Sequence, residues 1–307
     1  MNAQPEVAIL LCTYNGGRHL HSQLDTLAAQ SGVGCRLLVS DDGSYDDTLP
    51  IVKGWAALYP NIPVTLREGP RRGHAANFLA ALCDHAADAD YYAFADQDDL
   101  WDRDKLHCAV EQLAPFDDRP ALYCGRTRSI TGQGAVTGLS PLFSRPPAFR
   151  NALIHNIGGG NTMVLNRRAH ELLSVAGEVD VVAHDWWSYL LVSGAGGEVI
   201  YDPQPRLGYR QHDDNAIGAN TGASRRIRRY LGFLGGRNRE WITRNVLALE
   251  ANVDLLSPEN RSALAQFGVL RNGGVVARLR ALRNGGFYAQ TWSANLGLWF
   301  ATLLKKI

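Results

Sequence analysis

The chain has 307 residues, 46% of them hydrophobic and 20% charged, an ordinary globular composition that excludes collagen-like, disulfide-scaffold and wholly disordered proteins. That length suffices for one large α/β domain or two smaller ones. The net charge of +1 hides an asymmetry: from Ser224 onward fourteen Lys/Arg accompany only four Asp/Glu, which leaves the first 223 residues at −9, so body and tail are expected to have different partners.

Val7 to Cys12 is an apolar, branched run ended by Thr-Tyr-Asn-Gly-Gly, the pattern of a doubly buried strand followed by a loop. Leu20, Leu24 and Leu27 recur at helical spacing. Cys35 to Ser40 reads as a second buried strand, stopped by Asp41-Asp42-Gly43-Ser44, after which Asp46 or Asp47 caps a helix running to about Ala57. Ile62 to Leu66 is a third strand, His74 to His85 a helix, and Tyr91 to Ala95 a fourth strand, followed by a helix from Leu100 to Leu113. Ala121 to Arg126 and Asn161 to Leu165 read as strands, with a Gly- and Pro-containing loop, Thr131 to Pro147, between them. Trp186 to Val192 reads as a helix, and Glu198 to Tyr201 and Arg206 to Gln211 as short strands. The alternation predicts an α/β fold: a mostly parallel, Rossmann-like central sheet covered by helices. An α/β body over 1–222 and a helical, basic C-terminal region over 223–307 are expected.

The five cysteines (Cys12, Cys35, Cys83, Cys108, Cys124) form no C-x-x-C pair, which argues against a thiolate zinc site and fits reduced thiols. Met1 to Glu6 lacks the basic-then-apolar pattern of a secretory leader. No apolar run approaches the roughly 20 residues of a membrane span. A cytoplasmic location is expected, with the inner membrane surface within reach of the basic tail.

Three polar clusters stand at the carboxyl ends of predicted strands: Thr13-Tyr14-Asn15, Asp41-Asp42 and Asp96-Gln97-Asp98-Asp99. In open parallel sheets that edge binds ligands. Carboxylates crowded at one strand end repel one another unless a cation sits among them. Oxygen-only ligands favour Mg²⁺ or Mn²⁺ over Zn²⁺, and Mg²⁺ typically takes one or two carboxylates plus substrate phosphates. The plainer reading is a solvated turn capping the next helix, and Asp41-Asp42-Gly43-Ser44 carries the same ambiguity. No G-x-x-x-x-G-K-[ST] loop occurs and no G-x-G-x-x-G follows the first strand, so a bound nucleoside diphosphate would need a metal for much of its neutralisation.

In combination, VAILLCTYNGG (Val7–Gly17), VSDDGS (Val39–Ser44), GHAANFL (Gly73–Leu79) and FADQDDLW (Phe94–Trp101) resemble family 2 glycosyltransferases of the GT-A fold. HDWWSY (His184–Tyr189) and YRQHDDN (Tyr209–Asn215) are similar to bacterial rhamnosyltransferase-like members. The resemblance implies that Thr13, Tyr14, Asn15, Asp41, Asp42, Asn77, Asp96, Gln97 and Asp98 bind a nucleotide sugar, a dTDP- or UDP-sugar. Asp98, with His212, would hold Mg²⁺ or Mn²⁺, and Asp185 would be the general base. Asp99, Trp101, Gly159, Gly160, His184, Trp186 and Trp187 would line the donor-sugar or acceptor pocket. For Trp186 and Trp187 the rival reading is core packing, and Gly158 to Gly160 read equally as a plain turn. His74, His107 and His170 are expected to be surface or helix residues. The implied reaction is metal-dependent and inverting: a sugar, rhamnose first among the candidates, passes to a saccharide or lipid-linked saccharide acceptor in cell-surface polysaccharide synthesis. A sugar nucleotidyltransferase is the rival enzyme, although only Arg18 marks its expected basic loop; a non-catalytic sugar-nucleotide or lipid-binding module is the rival from outside enzymology.

The tail carries Arg225, Arg226, Arg228 and Arg229, then Arg278, Arg280 and Arg283, and ends on Lys305-Lys306 beside Trp299, Phe300, Leu303 and Leu304. Membrane-surface contact and plain helical packing or homodimer formation stand as equal readings; nucleic-acid binding has no fold signature behind it.

Overall fold

The computed structural model describes residues 4–84, 86, 88–211 and 237–307. A seven-stranded sheet forms its centre: β1 (Glu6–Thr13), β2 (Gly34–Asp41), β3 (Val64–Glu68), β4 (Tyr91–Ala95), β6 (Ala121–Gly125), β9 (Val164–Asn166) and β10 (Glu198–Asp202), in the spatial order β10-β6-β9-β4-β1-β2-β3. All these strands run parallel except β9, which is antiparallel to β4 and β6. A second sheet, in the order β5-β11-β7-β8, joins β5 (Leu100–Trp101), β7 (Arg128–Ile130), β8 (Val136–Leu139) and β11 (Leu207–Arg210).

β1 shows why the branched run folds where it does. Val7, Ile9 and Leu11 enter the core beneath α1 (Leu20–Ala28), α2 (Thr48–Leu58) and α4 (Lys105–Leu113). Ala8, Leu10 and Cys12 enter the opposite core, shared with α3 (His74–Leu82), α6 (Arg167–Ala176) and α7 (His184–Gly194). Each large aliphatic side chain so buried contributes roughly 1.5–3 kcal/mol of transfer free energy. The same second core takes in Ile242, Val246 and Leu249 of α8 (Arg237–Ala251), Leu264 and Phe267 of α9 (Pro258–Asn272), Leu282 of α10 (Val275–Asn284) and Leu298 of α11 (Trp292–Leu303). The C-terminal helices thus pack on the α/β body through one continuous apolar cluster. The expected boundary at 222/223 lies outside the described residues.

Several expectations shift. Leu100-Trp101 is a strand rather than the start of a helix, because it pairs antiparallel with Gly208 and Leu207 of β11. The predicted loop 131–147 contains β8, whose residues are largely exposed and so lack an apolar alternation. The third strand begins at Val64 instead of Ile62, and α3 ends at Leu82. The short helix α5 (Phe149–Ala152) and the longer α6 were not anticipated. His170, expected at the surface or on a helix, is on α6 but buried, its ring stacked 3.6 Å from that of Tyr92. All five cysteines are free thiols. Among the described residues no helix is long and apolar enough to cross a membrane.

Candidate active site

The carboxyl ends of β1, β2 and β4 converge on one edge, and their polar clusters are tied together before any ligand arrives. The Thr13 hydroxyl donates to Asp41 Oδ2 (2.7 Å). Asp41 also accepts from the backbone N–H groups of Gly43 and Ser44 and from the Ser44 hydroxyl. Gly43 sits at φ +97°, open to glycine at little cost. Asn15, at φ +48°, donates its N–H to Ser44 Oγ and accepts from the Tyr45 N–H. Asp42 accepts the N–H groups of Arg71 (2.6 Å) and Gly73 (2.9 Å), fixing the β3–α3 loop. Tyr14 and Tyr45 are left 55% and 85% exposed above this scaffold, their rings edge-to-face at 6.4 Å.

Two of the expected nucleotide contacts are turned elsewhere. Asn77 is buried and doubly bonded to Ser40, accepting from its hydroxyl (2.6 Å) and donating to its carbonyl (2.8 Å). It anchors α3 to β2 instead of reaching a ligand. Gln97 accepts the Tyr14 N–H (2.9 Å) and donates to the Tyr14 carbonyl (3.1 Å), which locks the β1 loop to the acidic turn. Gly16 passes so close that a Cβ there would lie 2.3 Å from Gln97 Oε1.

The acidic turn is held from below by Arg210 of β11. Its buried guanidinium donates to the carbonyls of Asp98 (2.7 Å) and Gly132, and its N–H lies 3.3 Å from Asp99 Oδ1. Asp99 is wholly buried and accepts from the Asn161 amide. Burial pushes the Asp99 carboxyl up, and the Asp98 charge adds to it. Asp96 is likewise raised well above the usual carboxylate range, by burial first and then by Asp99, Asp98 and Asp185. Lys105 is buried with its ammonium 3.5 Å above the Trp101 ring, and burial drives its pKa down. Trp101 is therefore covered by a lysine and sits in the core, where no sugar reaches it.

Asp185 opens α7 across the edge from this turn. Its Oδ2 accepts the Gly160 N–H (3.1 Å) and its Oδ1 the Trp186 N–H (2.6 Å). Burial raises its pKa to about 6 despite those hydrogen bonds and one from Asn156. The flanking aromatics face inward. Trp187 is 0% exposed and Trp186 is buried with its indole N–H on the Ala152 carbonyl (2.7 Å), so both are core residues and the cleft-lining reading is corrected. His184 is also a core ring, stacked on Phe78 at 3.9 Å and edge-on to Phe94 at 4.8 Å; burial drives it well toward the neutral form. A Cβ on Gly160 would lie 2.2 Å from His184 Nε2, one on Gly158 2.9 Å from Cys124 Cβ, and one on Gly159 2.8 Å from Asn161 Oδ1. The glycine run thus packs closely against His184, Cys124 and Asn161 on its inner side, while Gly159 itself is exposed.

The oxygen-only set at Asp96 and Asp98 fits a hard divalent cation that completes its shell with phosphate oxygens and water. Among the described residues no group of three or more His, Cys, Asp or Glu could hold an ion unaided. His212 lies outside the described residues. Sequence reasoning missed Arg210 and Lys105. Arg210 stands inside the YRQHDDN stretch, and a cation in a predicted strand was the available signal.

The family model described as Glycosyl transferase family 2 matches residues 8–171, more than half of the chain. The chain belongs to that family. It is a glycosyltransferase, which decides against the nucleotidyltransferase and non-catalytic alternatives. It is 26% identical over 251 residues to the dTDP-rhamnosyl transferase RfbG of Shigella flexneri, covering 77% of this chain and 82% of that one. It is 29% identical over 212 residues to the uncharacterized protein Rv1520 of Mycobacterium tuberculosis, spanning 67% of this chain and 59% of that relative's length. Its fold is similar to mannosyltransferase PcManGT from Pyrobaculum calidifontis, solved with GDP-Man and Mn²⁺ (TM-score 0.54, 21% identity, 99% of this chain and 88% of that one). It is also similar to S. aureus TarS 1–349, solved with UDP-GlcNAc (TM-score 0.57, 14% identity, 91% and 79%). These neighbours bear out the expected GT-A architecture.

Proposed function

We propose that the chain is an inverting, divalent-metal-dependent transferase. It moves a sugar, rhamnose first among the candidates, from a dTDP- or UDP-linked donor to a hydroxyl of a saccharide or lipid-linked saccharide acceptor in cell-surface polysaccharide synthesis. The observation that carries this reading is the confrontation of two acidic sites: Asp185 lies near enough to the Asp96 turn for its charge to raise the Asp96 carboxyl. The relative named a dTDP-rhamnosyl transferase supports the choice of sugar and base.

Each Asp185 oxygen accepts one backbone N–H and Asn156 supplies a further hydrogen bond, which still leaves lone-pair capacity on the carboxylate for an acceptor O–H. The attacking hydroxyl oxygen bonds to the anomeric carbon, the bond from that carbon to the diphosphate oxygen breaks, and the hydroxyl proton passes to Asp185. A single displacement with the base opposite the leaving group inverts the anomeric centre. Asp98, with His212, would hold Mg²⁺ or Mn²⁺, which when bound supplies Lewis-acid stabilisation of charge on the departing diphosphate, and Asp96 would bind the nucleotide sugar. The exposed Tyr14 and Tyr45 rings offer the nucleobase an aromatic platform.

The deciding experiment is Asp185→Asn assayed with dTDP-rhamnose and manganese. Turnover is expected to fall by about 10²–10⁴-fold, the usual share of a general base, while donor binding measured calorimetrically stays within a few-fold. Near-full turnover with donor still bound would remove Asp185 from the role.

A further inference from the structure

The most C-terminal helix is the least accounted for by the reading above. α11 packs through Leu298, Ala301 and Thr302, yet Trp292, Leu296, Trp299, Phe300 and Leu303 all stand on its outer side. Their spacing of four, three, one and three residues is one continuous helical stripe. Trp292 is 78% exposed, Phe300 60% and Trp299 43%. Those three rings present on the order of 300–450 Å² of aromatic surface, taking roughly 150–250 Å² per ring. That already equals the largest apolar patch of a typical monomer before Leu296, Leu303 and Leu304 are added.

The charges carried by α10 and by the segment after α11 are of one sign. No Asp or Glu follows Glu259 in the sequence, whereas Arg280, Arg283, Lys305 and Lys306 do. Arg280 and Arg283 are exposed on α10, which packs beside α11, and Lys305 is exposed just past the end of α11. A two-fold contact of this face with its own copy would bring cation against cation, so that mode of self-association is disfavoured by the same residues that favour an anionic partner. The helix has 12 residues, about 18 Å at 1.5 Å per residue, well short of the roughly 30 Å hydrocarbon core.

We propose that α11 is an in-plane membrane anchor: its Trp292–Leu303 stripe seats in the headgroup–acyl boundary of an anionic bilayer, with Arg280, Arg283, Lys305 and Lys306 on the lipid phosphates. An amphipathic helix with aromatics on one side and cations beside them binds by buried apolar area plus attraction to anionic lipid. The anchor is joined to the catalytic edge. Just before α11, the Tyr288 carbonyl accepts from the Asn151 amide and the Gln290 side chain bonds both Asn151 and Arg145. Asn151 adjoins Ala152, whose carbonyl holds the Trp186 indole next to Asp185. The inference is independent of which sugar or metal the enzyme uses.

The test is flotation of the full chain with phosphatidylcholine vesicles, alone or with about 30% phosphatidylglycerol, at about 50 mM and about 500 mM NaCl. The expected result is binding to the anionic vesicles only, weakened by salt. Trp292→Ser with Phe300→Ser, and separately Arg280→Glu with Arg283→Glu, should each lower the partition coefficient by about tenfold or more. Both pairs are exposed, so their melting midpoints should stay within about 2 °C of the parent; Trp292→Ser alone replaces the first pair if they do not. Unchanged flotation of both double variants would overturn the proposal and assign any lipid binding to another part of the chain. No flotation of the parent, or a dimer in sedimentation velocity that Trp292→Ser with Phe300→Ser abolishes while vesicles remain unbound, would also overturn it.

Discussion

At Asp185 the local environment sets both reactivity and a stability cost. Its carboxyl is raised to about 6 from an ordinary 3.8, by burial first. A base must be ionised, so kcat/KM is expected to rise with pH through about 6 and then level. The stability consequence has the opposite sign. A carboxyl raised in the folded state favours folding when protonated, and that contribution is lost as pH climbs from about 4 through about 6. Asp185→Asn should therefore gain melting temperature relative to the parent as pH goes from 4 to 7. A constant difference across that range would contradict the assigned environment. Gly160 is the second residue-scale case. Gly160→Ala places a methyl 2.2 Å from His184 Nε2, and the required shift should cost about 1–3 kcal/mol. It also disturbs the N–H held by Asp185. The clash is with one ring, so His184→Ala in the same chain should recover part of the loss in a double-mutant cycle; additive costs would show that the two do not touch. Sequence located these residues but not their bonds. The doublet and triplet of aspartates mark the ligand edge, whereas nothing in GHAANFL tells that Asn77 turns back to Ser40, or in FADQDDLW that Gln97 pairs with Tyr14.

Elements were legible where one side-chain pattern dominated. β1, β2 and β4 are buried on both faces and read as unbroken apolar runs, and α1 and α7 followed from their own periodicities. β5 and the exposed β8 are short strands defined by their neighbours, so no local pattern announces them, whereas β9 overlaps the stretch Asn161 to Leu165 that reads as a strand. α6 begins Arg-Arg and buries only Ala169, His170 and Leu173, too sparse a stripe to read. Its start is fixed instead by Asn166. That side chain accepts from the N–H groups of Ala169 and Ala121 and donates to the carbonyls of Phe116 and Arg119. It caps α6 and ties β9 to β6 and to the turn preceding it. Asn166→Ala should destabilise by about 2–4 kcal/mol, more than the ~1 kcal/mol of an ordinary cap, as read by urea denaturation. A loss of only cap size would mean that the other three bonds are replaced by water.

At the scale of the whole molecule, the charge division seen in the composition has a spatial counterpart. Asp41, Asp42, Asp96, Asp98 and Asp99 stand at the carboxyl edge of the sheet, and the chain beyond Glu259 carries cations only. The apolar core does not divide in the same way, since α7 and the C-terminal helices share one cluster. Composition could reveal the first fact but not the second, because continuity of a core depends on long-range packing. One small device has a wider effect. The Gln97 side chain meets both peptide groups of Tyr14 as a neighbouring strand would, a one-rung splice between the first crossover and the acidic turn. The main chain of Tyr14 is consequently tied to the aspartate turn without help from any cargo. Adjustment to one incoming base or another then falls to the exposed Tyr14 and Tyr45 side chains, because the peptide beneath Tyr14 is spoken for on both sides.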